Sequence, residues 1–350
     1  MTYPTPRDTT WTSLEGANVE ALRARCRART RDGKPTREES ATLRRWAGWG
    51  TMQRLFTPDG PENLRRTVET LVTPSEFDAG SRTAALNAHW TPPGVAADIW
   101  AAVTAFAATT GREVRSVLEP SCGIGEFLAP APRTVKKMTG IEIDPVTADM
   151  ARLLLPTAHV HTGSFATVDL PEEHFDLSVG NLPFSQDVLA DQEYNTHCLP
   201  VPEHFLLKAT RLVRPGGLLA LIVPHRLLDA PDARARERIA ELAQLAAAIR
   251  FPSHRSGAPD GPGVVADLLI LRRRSPSSTP APQEPAWMTV AAVPGSAVQV
   301  NEYFTHHPDH VLGRFAASGT SVKVIADSNE PHVCLPQVLA GALREGKGAV

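Results

Sequence analysis

The sequence predicts an α/β fold built on a mostly parallel sheet of seven strands. Three observations carry that prediction. Between residues 85 and 274, short apolar runs alternate with helical patterns of about a dozen residues, the rhythm of βαβ units. The last two apolar runs are joined by residues 252–263 without a helix, which makes that pair antiparallel. The first runs end in turns marked by Gly, Pro or Asp, where an open parallel sheet places its ligand loops.

The strands are expected at Arg115–Glu119, Met138–Ile143, Ala158–His161, Phe175–Val179, Leu218–Val223, Ala247–Phe251 and Val264–Leu271. Each is a short apolar run bounded by turn residues. Helices are expected at Val146–Leu155, Pro202–Val213 and Ala233–Ala246 between them. Ahead of this zone, residues 1–80 read as an arginine-rich helical extension with helices at Val19–Arg31 and Arg37–Phe56. The domain expected to carry the sheet spans residues 81–274. A Pro/Ser-rich stretch, 275–295, reads as a linker, and 296–350 as a short tail.

Composition narrows the function classes. A chain of 350 residues can bury roughly 75% of its unfolded surface, enough for a sizeable core. A net charge of −2 excludes a wholesale polyanion binder and leaves local basic patches as the route to nucleic acid. Cys26, Cys122, Cys198 and Cys334 are far apart with no C-x-x-C pair, so no disulfide framework or zinc ribbon is indicated. The first residues lack a basic-then-apolar secretory pattern, and the longest apolar runs fall short of a membrane span. A cytoplasmic setting is the expectation.

Four loops follow the first four strands. In Glu119-Pro120-Ser121-Cys122-Gly123-Ile124-Gly125-Glu126-Phe127, glycines 123 and 125 let backbone pass close to a ligand and offer N–H groups where a helix is expected to start. The third glycine of a dinucleotide fingerprint is replaced by bulk, which argues against a pyrophosphate seat. Glu142, 19 residues after Gly123, ends the second strand beside Ile143 and is placed to accept both hydroxyls of a ribose. A surface acid ending a strand is the other reading. A nucleoside without phosphates, such as S-adenosylmethionine, fits both loops. After the third strand, Ser164 and Phe165 can face an adenine ring, or Phe165 can be ordinary core. After the fourth, Asn181-Leu182-Pro183-Phe184 offers two acceptors to an exocyclic amine: the Asn181 side-chain oxygen and a carbonyl of Leu182 or Pro183. Those bonds strengthen as the nitrogen lone pair localises, which stabilises the transition state. Phe184 offers a stacking face for a flipped base. Taken alone, the tetrapeptide also reads as a simple turn.

E-P-S-C-G-I-G, G-I-E-I-D-P and N-L-P-F, in this order, resemble the N6-adenine DNA methyltransferases. The segment Leu86–Pro93, with Thr91-Pro92, is similar to that family's upstream cofactor motif, and the order is that of the γ-type enzymes. More narrowly, the chain resembles the methylase module that plasmids and phages attach to SNF2-type helicases. That likeness extends to Trp46-Ala47-Gly48-Trp49-Gly50 and to Val300–Phe304 and Val311–Gly313. The resemblance implies a Rossmann-like seven-stranded S-adenosylmethionine-dependent methyltransferase fold with an N-terminal helical extension. It also implies methyl transfer to adenine N6 in DNA, base flipping, and a cofactor site drawn from Thr91, Pro92, Glu119, Pro120, Cys122, Gly123, Gly125, Glu142, Ile143, Ser164, Phe165 and Asn181. Two positions depart from the pattern. Leu182 replaces a proline, which a backbone-carbonyl role tolerates, and Ser164 replaces an acid that contacts the cofactor's adenine amine. The residues from Ser275 are few for a target-recognition domain and no Walker motif is present, so either a partner (a helicase or a separate recognition subunit) supplies target recognition, or specificity is low, or the protein is a remnant.

Other clusters carry less. Arg23, Arg25, Arg27, Arg29, Arg31, Arg37, Arg44, Arg45 and Arg54 could neutralise DNA phosphates or form a solvated helix face. His306, His307 and His310, and His197, Cys198 and His204, match no four-ligand zinc spacing, and no metal is expected. A protein glutamine, an RNA base, or a catalytically silent DNA-binding role are the alternative readings.

Overall fold

The computed structural model describes residues 12–84, 91, 93–109, 111–252, 264–275, 287–293, 298–318, 321–325 and 335–345. The N-terminal part is helical: α1 Ser13–Arg29, α2 Arg37–Leu43, a 3-10 segment Trp49–Phe56, α3 Glu62–Glu69 and α4 Pro74–Thr83. Thr12, Thr36 and Thr73 open α1, α2 and α4 with full capping boxes to Glu15, Glu39 and Glu76. The single helix expected over Arg37–Phe56 breaks instead. Its α-helical part stops at Leu43, and Gly48 adopts φ 75° with ψ 169°, a backbone conformation open to glycine that redirects the chain.

Helix α5 (Pro93–Thr109) leads into the sheet. Its strands are β1 Ser116–Glu119, β2 Lys137–Glu142, β3 His159–Thr162, β4 Phe175–Asn181, β5 Val213–Pro224, β6 Ala243–Arg250 and β7 Ala266–Arg273. They lie in the order β3-β2-β1-β4-β5-β7-β6. The first five pair in parallel, and β7 runs antiparallel to both β5 and β6. This is the mostly parallel seven-stranded sheet expected from the sequence, with antiparallel β7 inserted before β6. Helix α6 (Pro145–Leu154) joins β2 to β3, and α7 (Val201–Leu212) joins β4 to β5. Helices α8 (Arg226–Asp229) and α9 (Arg234–Leu242) lie between β5 and β6. The helix expected over Ala233–Ala246 therefore ends early. Ala243–Ala246 are strand, because buried Ala243, Leu245 and Ala246 suit a sheet as readily as a helix face.

Side chains alternate along β5. Leu219, Leu221 and Val223 face a core shared with α7 and α9, while Leu218, Ala220 and Ile222 face α5 on the other side. Helix α11 (Leu335–Glu345) packs against α5 and β6. A third core joins α1–α4 to the sheet domain by seating Ile124, Val146, Met150 and Leu153 among Leu22, Leu43, Trp46 and Trp49. Across this junction, buried Arg25 bonds Asp149 (2.6 Å) and Glu76. That contact removes Arg25 from any role on a solvated or phosphate-facing surface.

The stretch expected as linker and tail is built onto the sheet where it is described; residues 276–286 and 294–297 lie outside the described residues. Strands β8 (Val290–Ala292) and β9 (Gln299–Asn301) form a hairpin, followed by α10 (Tyr303–His306) and the hairpin β10 (Arg314–Ser318) and β11 (Ser321–Ile325). Buried Arg250 anchors the β9 end. Its guanidinium bonds both oxygens of Asp267 and one of Asp229, each at 2.8 Å, and lies 4.2 Å from the Phe304 ring centre. The same Asp229 oxygen accepts the Asn301 N–H at 2.8 Å. Among the described residues, no helix is long and apolar enough to cross a membrane.

Candidate active site

A cavity of about 140 Å³ opens at the carboxyl ends of β1, β2 and β4, where the sheet order reverses. The loop after β1 supplies Glu119, Ser121, Cys122, Gly123, Glu126 and Phe127. The turn after β2 supplies Glu142, Ile143 and Asp144, and the end of β4 supplies Asn181, Leu182, Pro183 and Phe184. Most of the residues expected at a cofactor site and at a target-amine site thus share one space. Thr91 completes the link: its hydroxyl accepts a hydrogen bond from the Asn181 side-chain amide at 3.3 Å. Pro92 and residues 85–90 lie outside the described residues.

The β1 loop differs from expectation. Residues after Gly125 make a single turn, with Ala129 N–H donating to Gly125 C=O at 2.9 Å, and no helix follows. Pro130 and Pro132 lack the N–H groups a longer helix needs. Gly125 has φ 89°, and a Cβ there would lie 2.3 Å from Leu155 Cδ1, so the turn requires glycine. The Gly123 N–H points at the Glu142 carboxylate (2.9 Å), whose other oxygen accepts the Asp144 N–H at 2.8 Å. Glu142 thereby fixes the two ligand loops against one another and keeps further acceptor capacity.

Four carboxyl groups, Glu119, Glu126, Glu142 and Asp144, line the cavity, and no lysine or arginine is among its described lining residues. Burial pushes Glu142 up to about 7, against the pull of the backbone N–H groups of Asp144, Gly123 and Ile143. Glu119 is 2% exposed, and its Oε2 has no hydrogen-bond partner. Burial, reinforced by the negative charge of Glu126 and Glu142, raises its pKa well above the carboxylate range. Buried acid without a counter-charge is a poor arrangement for an empty protein and a good one for a positively charged guest. A nucleoside bearing a sulfonium and an ammonium group fits that donor set.

The remaining expected residues divide. Pro120 is buried at the strand end. Ser164 and Phe165 do not line the cavity: the Ser164 hydroxyl accepts the Ala166 N–H at 3.3 Å, and Phe165 is core, 4.9 Å from the Phe205 ring centre. Leu182 is also core, and its N–H donates to Ile222 C=O at 2.9 Å, a bond a proline could not make. The chain beyond Phe184 returns to α7 through Asp191, which bonds His204 Nε2 at 2.9 Å and approaches Lys208 Nζ at 3.4 Å. Burial would raise the Asp191 carboxyl, but amide hydrogen bonds from Tyr194 and Glu193, the His204 bond and the Lys208 charge hold it below its usual range.

Sequence reasoning missed one wall. Gly48, Trp49, Gly50 and Thr83, all from the N-terminal helical part, also line the cavity. The W-A-G-W-G run was visible as a cluster, but nothing local shows which loop it covers.

Residues 118–221 match the family model of a methyltransferase domain. Over 197 residues the chain is 29% identical to defense against restriction protein B of Escherichia phage P1, covering 53% of this chain and 8% of that protein. It is 31% identical over 126 residues to type II methyltransferase M.CvrRI of Paramecium bursaria Chlorella virus XZ-6E, covering 33% of this chain and 32% of the relative. The chain thus spans less than two thirds of the length of either relative. Among solved structures, a type I restriction-modification system methyltransferase subunit from Streptococcus thermophilus aligns with 14% identity and a TM-score of 0.48, over 94% of this chain and 74% of that one. Residues 118–221, which carry the cavity's β1, β2 and β4 loops, are thus similar to a methyltransferase domain.

Proposed function

We propose that the protein methylates the N6 amine of adenine in DNA. The observation that carries this reading is the meeting of Asn181, Pro183 and Phe184 with Glu119 and Glu142 around one cavity, with the Asn181 amide tied to Thr91. Bound S-adenosylmethionine supplies an electrophilic methyl group on a positively charged sulfur that leaves as a neutral thioether. Glu142 accepts ribose hydroxyls, and Glu119 and its acidic neighbours offer negative charge to the cofactor's cationic end. Thr91 engages the nitrogen of the Asn181 amide, which makes the oxygen the end that meets an incoming amine. That oxygen and a carbonyl of Leu182 or Pro183 accept the two amine hydrogens and draw the lone pair out of the ring. Phe184, half-buried at the rim, stacks the base once it has left the helix. The amine sheds its proton to water after transfer, so no strong base is required.

One relative is named for defense against restriction and another as a type II methyltransferase, and these names support DNA as the substrate class. We place the protein in the cytoplasm beside a helicase or a separate target-recognition subunit that selects the site. The test is transfer of labelled methyl to adenine-containing single- and double-stranded DNA by wild type and Asn181→Ala, with S-adenosylhomocysteine binding measured alongside. Wild type is expected to label adenine N6. The variant should lose roughly 100-fold or more in rate, the cost of removing one oriented polar group at a transition state, while still binding the product cofactor. Equal labelling by both proteins removes Asn181 from the chemistry, and labelling of RNA or protein in place of DNA overturns the substrate assignment.

A further inference from the structure

The cavity has a wall from outside the stretch that matches the methyltransferase domain. Trp49 is 3% exposed and is held by edge-on contacts with Trp46 (5.2 Å between ring centres) and Phe56 (5.9 Å). Gly80 of α4 makes room for it, since a Cβ there would lie 2.7 Å from the indole. The neighbouring Trp46 Nε1 donates to Thr147 Oγ1 at 2.9 Å, and that hydroxyl donates to Asp144 Oδ2 at 2.6 Å. Trp46 therefore reaches the turn that follows Glu142 at the end of β2.

Two polar atoms at this place lack a well-formed hydrogen bond. Trp49 Nε1, a donor, and Asp144 Oδ1, an acceptor, are both buried, on residues that line the cavity. Burial raises the Asp144 carboxyl, and the hydrogen bonds from Thr147 together with the Trp49 indole N–H pull against it. A buried donor and acceptor that fall short of good geometry with one another gain free energy from a guest that offers each a well-placed partner. A nucleoside, with ring nitrogens, an exocyclic amine and hydroxyls, carries both kinds of group.

We propose that Trp49, with Gly48, Gly50 and Thr83, is a cofactor-binding wall, and that Trp49 Nε1 and Asp144 Oδ1 bond the nucleoside end of S-adenosylmethionine. The N-terminal helical part is then a working piece of the site, closing it on the Glu142 side. This rests on the reading of the cavity as the cofactor site.

The experiment is calorimetric titration of the full chain with S-adenosylhomocysteine. Trp49→Leu is expected to weaken binding about tenfold or more, through lost apolar contact and the lost N–H. Thr83→Tyr, at the half-buried rim, fills the cavity without entering the helical core, and should weaken binding comparably even if Trp49→Leu folds poorly. Leu64→Ala is the control: Leu64 is fully buried in the same core as Trp49 but does not line the cavity. It should lower stability and leave affinity within about twofold. Wild-type affinity in both Trp49→Leu and Thr83→Tyr overturns the wall, as does a Leu64→Ala loss equal to that of Trp49→Leu. Wild type that binds no S-adenosylhomocysteine overturns the cofactor reading and the wall together.

Discussion

Replacing Glu142 by glutamine gives a pH signature that separates a buried, ligand-organising carboxylate from a surface acid ending a strand. Glu142 is 8% exposed, and its two oxygens take the N–H groups of Gly123 and Asp144 at 2.9 and 2.8 Å. Burial places its folded-state pKa at about 7 instead of 4.5. Between those pH values the folded chain keeps a proton that the unfolded chain has lost, so stability falls as pH rises through the window. At ~1.36 kcal/mol per pH unit, the loss is roughly 3 kcal/mol, complete above pH 7 and absent below 4.5. Glutamine cannot ionise and escapes that loss, but its NH2 group cannot accept one of the two N–H bonds, a cost of about 1 kcal/mol at any pH. The two stability curves should therefore cross: wild type ahead by about 1 kcal/mol near pH 4, the variant ahead by roughly 2 kcal/mol near pH 8. Urea unfolding at half-unit steps from pH 4 to 8 measures this directly. Parallel curves would refute the reasoning, because Glu142 would then ionise alike in both states.

Two further substitutions probe how the site is supported. Arg250→Leu leaves the buried carboxylates of Asp229 and Asp267 without their cation and should cost about 3–5 kcal/mol in denaturant unfolding. Residues 298–312 should become protease-sensitive first, since Asp229 and the Arg250 carbonyl hold Asn301 and Leu312. A Cβ at Gly140 would lie 2.8 Å from Cys122 Sγ, so Gly140→Ala should destabilise by roughly 1–3 kcal/mol. Adding Cys122→Ala should recover part of that loss. Additive losses in the double mutant would show that the two residues do not press on each other.

Much of the fold was legible because the sheet's signals are local. Runs such as LLALIV are apolar on both faces, bounded by turns, and separated by helices of the right length, so the strand positions and the antiparallel final pair follow from pattern alone. The errors fall where local patterns are degenerate. Alanine-rich Ala243–Ala246 suits helix and strand equally, and only the pairing with Leu271–Arg273 decides. The turn after Gly125 carries helix-forming residues, but two prolines end it after one turn. The placement of β7 between β5 and β6 is also beyond local reading, because it is a choice of neighbour and not of conformation.

The site splits along the same line. Glu119, Glu142 and Asn181 each end a strand, and the parallel register brings the three ends to one cavity, a convergence that motif spacing anticipates. The Trp49 wall depends on contacts such as Trp46 to Thr147, 101 residues apart, and Arg25 to Asp149, 124 apart. No spacing rule reaches that far. Composition places a boundary near residue 80, where arginine-rich helices give way to alternating strands, yet the third hydrophobic core runs straight across it. Cutting there would uncover Ile124, Val146, Met150 and Leu153 and strip Asp149 of its buried arginine. A composition boundary records where the chain changes its local pattern; a folding boundary requires that few buried contacts cross it. By that measure the N-terminal helices and the sheet are one unit, and the cavity between them belongs to both.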